Sequence, residues 1–133
     1  MTLTKQAILQ AKDLRIERVN VPEWGGEVCL KSITAAERGQ IEAAAARFRE
    51  SKGKDETFAR TFTLKIVSMA LCDENGNRLF DSDSDFAELA KKNAAVIARL
   101  AEVAQRLSGF AKEDLEVMEK NSGETPVEGS PLD

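Results

Sequence analysis

The spacing of apolar residues near the start of the chain predicts a β-hairpin over residues 14–33. Apolar residues, many of them β-branched, stand on both sides of the segment Pro22-Glu23-Trp24-Gly25-Gly26. They are Ile16, Val19 and Val21 before it and Val28, Leu30 and Ile33 after it. The pattern predicts two strands joined by a Gly-Gly turn. Pro22 has no amide hydrogen to donate, so we expect it at a strand end or on an edge strand, beside the turn.

After the hairpin the apolar spacing changes to that of helices. Thr34-Ala35-Ala36-Glu37 has the pattern of a capping box and predicts a helix start. The core stripe of this helix is Ile41, Ala44, Ala45 and Phe48, and the polar loop 51–55 follows it. Residues 56–71 carry two apolar stripes and are predicted to form the central helix. The stripes are Phe58, Phe62, Ile66 and Met69, and Leu64, Val67 and Leu71.

Further helices are predicted on both sides of this central region. A tight turn at Asn75-Gly76 is followed by the acidic run 81–85, which suits the cap of a helix carrying Phe86 and Leu89. The next helix has the stripe Val96, Leu100, Val103 and Leu107 and ends near Ser108-Gly109. A short last helix is predicted at 112–120. Residues 4–12 also have helical spacing, but so short a helix is marginal by itself and docks late or frays.

These elements predict an α+β fold that is mostly α-helical, with an N-terminal β-hairpin followed by four to five helices. A chain of 133 residues, 42% of them hydrophobic, has room for one core. We therefore expect one domain over residues 1–120, with the hairpin at 14–33 and the helical part at 34–120. Residues 121–133 combine glycine and proline with acids and bury too little to become ordered, so a disordered acidic tail is expected.

Composition argues against several classes of function. The formal charge is −4, and Lys and Arg alternate with Asp and Glu along the chain, which disfavours nucleic-acid binding. There is no long apolar run for a membrane span and no signal-peptide pattern, so a cytoplasmic protein is expected. Cys29 and Cys72 lie far apart and lack metal-ligand spacing, which favours two reduced, partly buried thiols.

Residue types also disfavour an enzyme. The chain has no histidine, the commonest general base and metal ligand, and it has no phosphate-binding glycine loop. Residues 73–77 begin like a calcium loop, but Arg78 replaces the required glycine and Ser84 the closing glutamate, so a plain Asn-Gly turn is favoured. We expect no catalytic residue, no cofactor and no metal site.

Trp24 and the two stripes of residues 56–71 are candidates for contact with a partner protein. An indole in a turn either covers the edge of the core or is offered to a partner, and both interpretations stay open. The two stripes exceed what one neighbouring helix covers, which indicates either full burial or a subunit interface.

Three segments resemble those of the tail assembly chaperones of siphophages and related prophages. They are Val21-Pro22-Glu23-Trp24-Gly25-Gly26-Glu27-Val28, Leu71-Cys72-Asp73-Glu74-Asn75-Gly76-Asn77-Arg78-Leu79-Phe80 and Ala104-Gln105-Arg106-Leu107-Ser108-Gly109. The likeness covers most of residues 14–121. None of these segments is a catalytic signature.

The resemblance implies a protein that binds the tape measure protein, keeps it soluble, helps to bring tail tube protein to it and is absent from the virion. We expect a reversible groove or oligomer surface for amphipathic helices, with Trp24, Phe58, Phe62 and Phe80 as candidate contacts. The alternative is a structural virion component such as a head–tail connector or tail completion protein. Self-association is also open.

Overall fold

The computed structural model describes residues 1–52 and 57–110, with side chains for all of these except residues 57–60. The elements are α1 (Lys5–Gln10), β1 (Ile16–Val21), a 3₁₀ turn (Pro22–Trp24), β2 (Gly26–Lys31), α2 (Ala35–Glu50), α3 (Thr57–Ala70), β3 (Leu71–Cys72), α4 (Asp83–Leu89) and α5 (Ala94–Leu107). The predicted α+β fold is confirmed. The helix predicted at 112–120 and the tail predicted at 121–133 lie outside the described residues. None of the helices in the described ranges has the length and apolar character needed to span a membrane.

The predicted hairpin is present, with a short helical turn at its tip. β1 and β2 are antiparallel in an unbroken register from Ile16 opposite Lys31 to Val21 opposite Gly26. The 3₁₀ turn begins at Pro22, and its C-cap is Gly25, whose φ of 84° is readily adopted by glycine. Side chains therefore alternate between the two faces of the sheet, and one face carries the buried residues Val21 and Leu30.

The third strand, β3, corrects the prediction that the central helix extends through Leu71. The helix ends at Ala70, and Leu71–Cys72 pair antiparallel with β2, where Leu71 lies opposite Leu30 and Cys72 opposite Cys29. The sheet order is β1-β2-β3. The apolar run 69–72 fits a buried helix and a buried strand equally well, and pairing with β2 decides between them.

Side-chain caps fix the starts of α2, α4 and α5. Thr34 and Glu37 form the predicted capping box of α2. At α4 the acidic first turn is present as predicted, and the capping atom is the Ser82 hydroxyl oxygen, which accepts from the Asp85 amide. Asn93 caps α5 by accepting from the amides of Ala95 and Val96.

The core lies between the sheet and the helices, with α3 packed against α2, α4 and α5. α5 also packs against β1 and β2. Its buried residues follow the predicted stripe closely: Val96, Ile97, Leu100, Ala101, Ala104 and Leu107. Phe48 of α2, Ile66 of α3 and Leu30 of β2 belong to the same buried cluster.

Candidate partner-binding surface

Trp24 and Phe80 lie at the edge of the core, half-buried and packed against it. The indole of Trp24 sits on the 3₁₀ turn of the hairpin, with the Lys92 ammonium 6.0 Å from a ring centroid. Phe80 follows the turn after β3, and its carbonyl oxygen accepts a hydrogen bond of 2.7 Å from Arg78. Each ring thus covers the core on one side and is partly open to solvent on the other.

The other two predicted contacts lie on α3. Phe62 is half-buried and meets Phe110 edge to face, with ring centroids 6.4 Å apart at 89°. Phe58 belongs to α3, and its side chain lies outside what the structure describes. The four candidates therefore come from the hairpin turn, the central helix and the segment after β3.

A buried ion pair joins Lys31 to Glu37, and Arg78 pairs with the same carboxylate. The sequence alone does not reveal this cluster. The Glu37 carboxylate accepts from Lys31 Nζ at 2.9 Å, from the Thr34 amide at 2.9 Å and from Arg78 Nη1 at 3.5 Å. Lys31 is only 3% exposed. Burial alone would raise the pKa of Glu37, but the Thr34 amide and Lys31 outweigh it and lower the pKa.

This cluster connects β2, the start of α2 and the segment that carries Phe80. Each oxygen of the Glu37 carboxylate already accepts from a cation, which favours the charged form. The cluster therefore fixes the relative positions of β2, α2 and the segment that carries Phe80. The only signal in the sequence was the capping box, which places Glu37 at the helix start and says nothing of Lys31 or Arg78.

The turn 73–77 is the predicted Asn-Gly turn. The Asp73 carboxylate accepts from the amides of Asn75 and Asn77 at 2.8 and 2.9 Å, and Gly76 has a φ of 89°. The hydrogen bonds from Asn77 lower the pKa of Asp73. The carboxylate thus faces the amides of its own turn.

A second ion pair joins the hairpin turn to α5 beside Trp24. Arg99 donates to both oxygens of Glu23 at 2.9 and 3.1 Å. These hydrogen bonds lower the pKa of the Glu23 carboxyl to about 2. The turn that carries Trp24 is therefore held against the helix by a bidentate contact.

Exposed apolar side chains concentrate elsewhere, at the beginning of the chain. The large hydrophobic residues that are exposed within the described part are Met1, Leu3, Ile8, Leu9, Leu14, Ile16 and Leu79. No residue of α1 is buried, although Thr4 caps the helix as a regular N-cap. The sequence predicts this helix but not that its apolar side chains face solvent, because the helical spacing is the same in both cases.

The cysteines lie side by side in the sheet. Cys29 and Cys72 are directly opposite each other on β2 and β3, and both are buried free thiols. Burial raises the pKa of the Cys72 thiol, and the adjacent Cys29 raises it further. The Cys72 thiol is therefore a poor nucleophile at neutral pH.

Comparison with known proteins gives a family match and a fold match. The sequence model of the family described as phage tail assembly chaperone matches residues 2–122. A solved structure entitled "Structure of bacteriophage HK97 tail assembly chaperone" aligns with a TM-score of 0.55 at 21% identity, covering 77% of this chain and 94% of that chain. At 21% identity this similarity shows a shared fold and no more. A search of curated proteins gave no match.

Proposed function

Because this chain belongs to the phage tail assembly chaperone family, we propose that it binds the tape measure protein, keeps it soluble and promotes assembly of the tail tube around it. The match over residues 2–122 carries this proposal. The role is performed by protein–protein contact, which agrees with the non-enzymatic function of the family.

The contact that we propose is a groove for amphipathic helices, bordered by Trp24, Phe58, Phe62 and Phe80. Three of these rings are half-buried, so each has an apolar surface open to solvent while its position is fixed by the core. Aromatic anchors held in this way lose little conformational entropy on binding and are common among interface hot spots. A reversible helix-in-groove contact would shield apolar helices until tube protein replaces the chaperone.

The test is co-expression with the tape measure protein from the same gene cluster, followed by pull-down and measurement of the soluble fraction of that partner. The proposal predicts a soluble complex with the wild-type chain. Trp24→Ala and Phe80→Ala should each weaken binding about tenfold or more, whereas Trp24→Phe should retain most of it. If the tape measure protein is equally insoluble with and without the chain, the proposal is wrong.

A matched control is Phe86→Ala, which truncates another half-buried ring at a position outside the proposed groove. Phe86 lies on α4, with Lys65 Nζ 5.3 Å from its ring centroid. Circular dichroism of each variant shows whether the fold is retained. If Phe86→Ala weakens binding as much as Trp24→Ala does, then the effect comes from lost stability and the assignment of the groove is wrong.

We place this chain in the bacterial host cytoplasm during assembly and outside the finished particle. Mass spectrometry of purified virions distinguishes this role from that of a permanent connector or tail completion protein. The chaperone should be absent from virions and abundant in the lysate. A fixed number of copies per virion would support the structural alternative.

A further inference from the structure

Two buried thiols face each other across the sheet, on the side away from the main core. Cys29 of β2 lies directly opposite Cys72 of β3, and both are free thiols. Residues that are directly opposite in an antiparallel pair have their side chains on the same face of the sheet. Leu30, the next residue along β2, points to the other face and belongs to the main buried cluster. The thiols are therefore neighbours on a face that the core does not use.

The hydrogen bonds after β3 show which kind of pair the cysteines form. The Asp73 amide donates to the Asn77 carbonyl at 2.9 Å, and the Leu79 amide donates to the Leu71 carbonyl at 3.1 Å. The backbone groups of Leu71 and Asp73 therefore face the segment 77–79, and those of Cys72, which lies between them, face β2. Cys72 and the residue opposite it on β2 thus form a hydrogen-bonded pair, in which the Cα atoms are about 5.5 Å apart.

This separation is compatible with a disulfide bond. Disulfide-linked cysteines have Cα atoms about 4.4–6.8 Å apart and Cβ atoms about 3.5–4.5 Å apart. The Cβ atoms of facing residues in a sheet are about 4.5–5.5 Å apart, so closing the bond needs an approach of about 1 Å. β3 consists of Leu71 and Cys72 alone, so this approach displaces a short strand.

We propose that Cys29 and Cys72 are a modification site, at which exchange with a low-molecular-mass disulfide such as glutathione disulfide links β2 to β3. The Cys29 thiolate attacks one sulfur of glutathione disulfide, and one glutathione leaves as its thiolate. The Cys72 thiolate then attacks the Cys29 sulfur of the mixed disulfide and releases the second glutathione. Two electrons pass from the cysteines to glutathione disulfide, and the two protons of the cysteines end on the two glutathione thiolates.

The order of these steps follows from exposure. Cys29 is 8% exposed and Cys72 only 2%, so glutathione disulfide reaches Cys29 first. The Cys29 sulfur then lies directly opposite Cys72, and this proximity makes the second step intramolecular. A reducing cytoplasm keeps the pair as two thiols, so the bond forms only where the thiol pool is oxidised. A bond that draws the strands together is also readily reduced, which makes the modification reversible.

The bond stabilises the folded chain, because it closes a loop that contains the whole of α2 and α3. Closing so long a loop reduces the conformational entropy of the unfolded chain. The bond also reinforces the junction of β2 with β3, which has only two residue pairs. This inference does not depend on tape-measure binding, and its tests use the isolated full chain. Failure of either proposal is therefore recognised separately.

The first test is mass spectrometry of the folded chain after incubation with glutathione disulfide. The wild type should lose two hydrogen atoms, retain no glutathionyl group and return to its starting mass with dithiothreitol. Cys72→Ala and Cys29→Ala are matched controls with one thiol each. Cys72→Ala should accumulate the mixed disulfide at Cys29, whereas Cys29→Ala should react about tenfold or more slowly, because its remaining thiol is more deeply buried.

The second test is urea unfolding of the oxidised and the reduced wild type. The oxidised chain should unfold at a higher urea concentration than the same chain in dithiothreitol. The chain that carries both Cys29→Ala and Cys72→Ala is the control, since it has neither thiol. Its urea midpoint should be the same after both treatments.

A wild type that keeps two free thiols, or gains a glutathionyl group at each cysteine, overturns the proposal. So does a disulfide that joins two chains, seen as a doubled mass in the absence of reductant. An oxidised chain that unfolds at the same urea concentration as the reduced chain, or at a lower one, overturns the stabilising effect of the bond.

Discussion

Glu37 shows how one carboxylate fixes the position of three segments. It caps α2, neutralises the buried Lys31 and lies 3.5 Å from Arg78, on the segment that leads to Phe80. Removing one partner of a buried ion pair leaves the other charge without compensation, which costs more than the pair contributes. The residue therefore matters for stability and for the geometry around the proposed groove.

We predict that Glu37→Gln lowers the free energy of unfolding by about 3 kcal/mol at pH 7. The pKa of Glu37 is lower in the folded protein than its ordinary value of 4.5, so the unfolded state binds the proton more readily. The stabilisation is thus complete above the ordinary pKa and is lost as the pH falls through the folded value. Urea unfolding of both proteins should show their difference shrinking below pH 4.5.

The control for this prediction is Glu42→Gln, in the exposed i,i+4 pair with Arg38. An exposed pair contributes less than about 1 kcal/mol, so this variant should unfold almost like the wild type. A difference between wild type and Glu37→Gln that does not change in acid would show that the charge of Glu37 is not what stabilises the fold.

Sequence patterns identify single residues well only when their partners are close in the chain. The capping box of Thr34 and Glu37 is predictable because it spans one helical turn. The contact of Glu37 with Arg78 bridges 41 positions and depends on the chain reversal after β3. Likewise, the sequence shows which candidate residues are aromatic. How deeply each ring is buried depends on neighbours that are distant in the chain.

At the scale of elements, local signals determine most of the fold and tertiary pairing determines the rest. The hairpin, α2, α4 and α5 follow from turn residues, caps and apolar spacing, and all are present. β3 is two residues long and continues the apolar run of α3, so no local signal separates the two. Only the pairing of Leu71 with Leu30 makes it a strand.

Two glycines with opposite roles provide a matched test of these elements. Gly39 lies inside α2, is exposed, and a Cβ there would meet nothing within 4 Å. Gly39→Ala should therefore stabilise the protein by about 0.5–1 kcal/mol. Gly76 has a φ of 89°, so Gly76→Ala should destabilise it by about 1–2 kcal/mol through backbone strain.

Chemical denaturation of both variants measures these effects. The Cβ added at Gly76 would lie 3.6 Å from Ile16 Cδ1, an ordinary contact, so the cost is one of backbone conformation and not of a clash. If Gly76→Ala were as stable as the wild type, then the turn 73–77 would have another conformation in solution. Loss of stability in Gly39→Ala would mean that a Cβ at position 39 meets another group of the same chain in solution.

At the scale of the whole molecule, one part of the chain forms the buried core, and another part carries most of the exposed large apolar side chains of the described residues. The buried cluster draws on the hairpin and on α2 to α5. The first sixteen residues are exposed throughout and hold six of the seven exposed large hydrophobic side chains of the described ranges. Folding of the body therefore does not require the N-terminal segment.

This division predicts that deleting residues 2–12 leaves the free energy of unfolding within about 0.5 kcal/mol of that of the full chain. The deleted residues bury no side chain. Leu30→Ala, which truncates a side chain that is 0% exposed, should instead cost about 3 kcal/mol. A loss comparable to that of Leu30→Ala would mean that α1 docks on the body of the protein in solution.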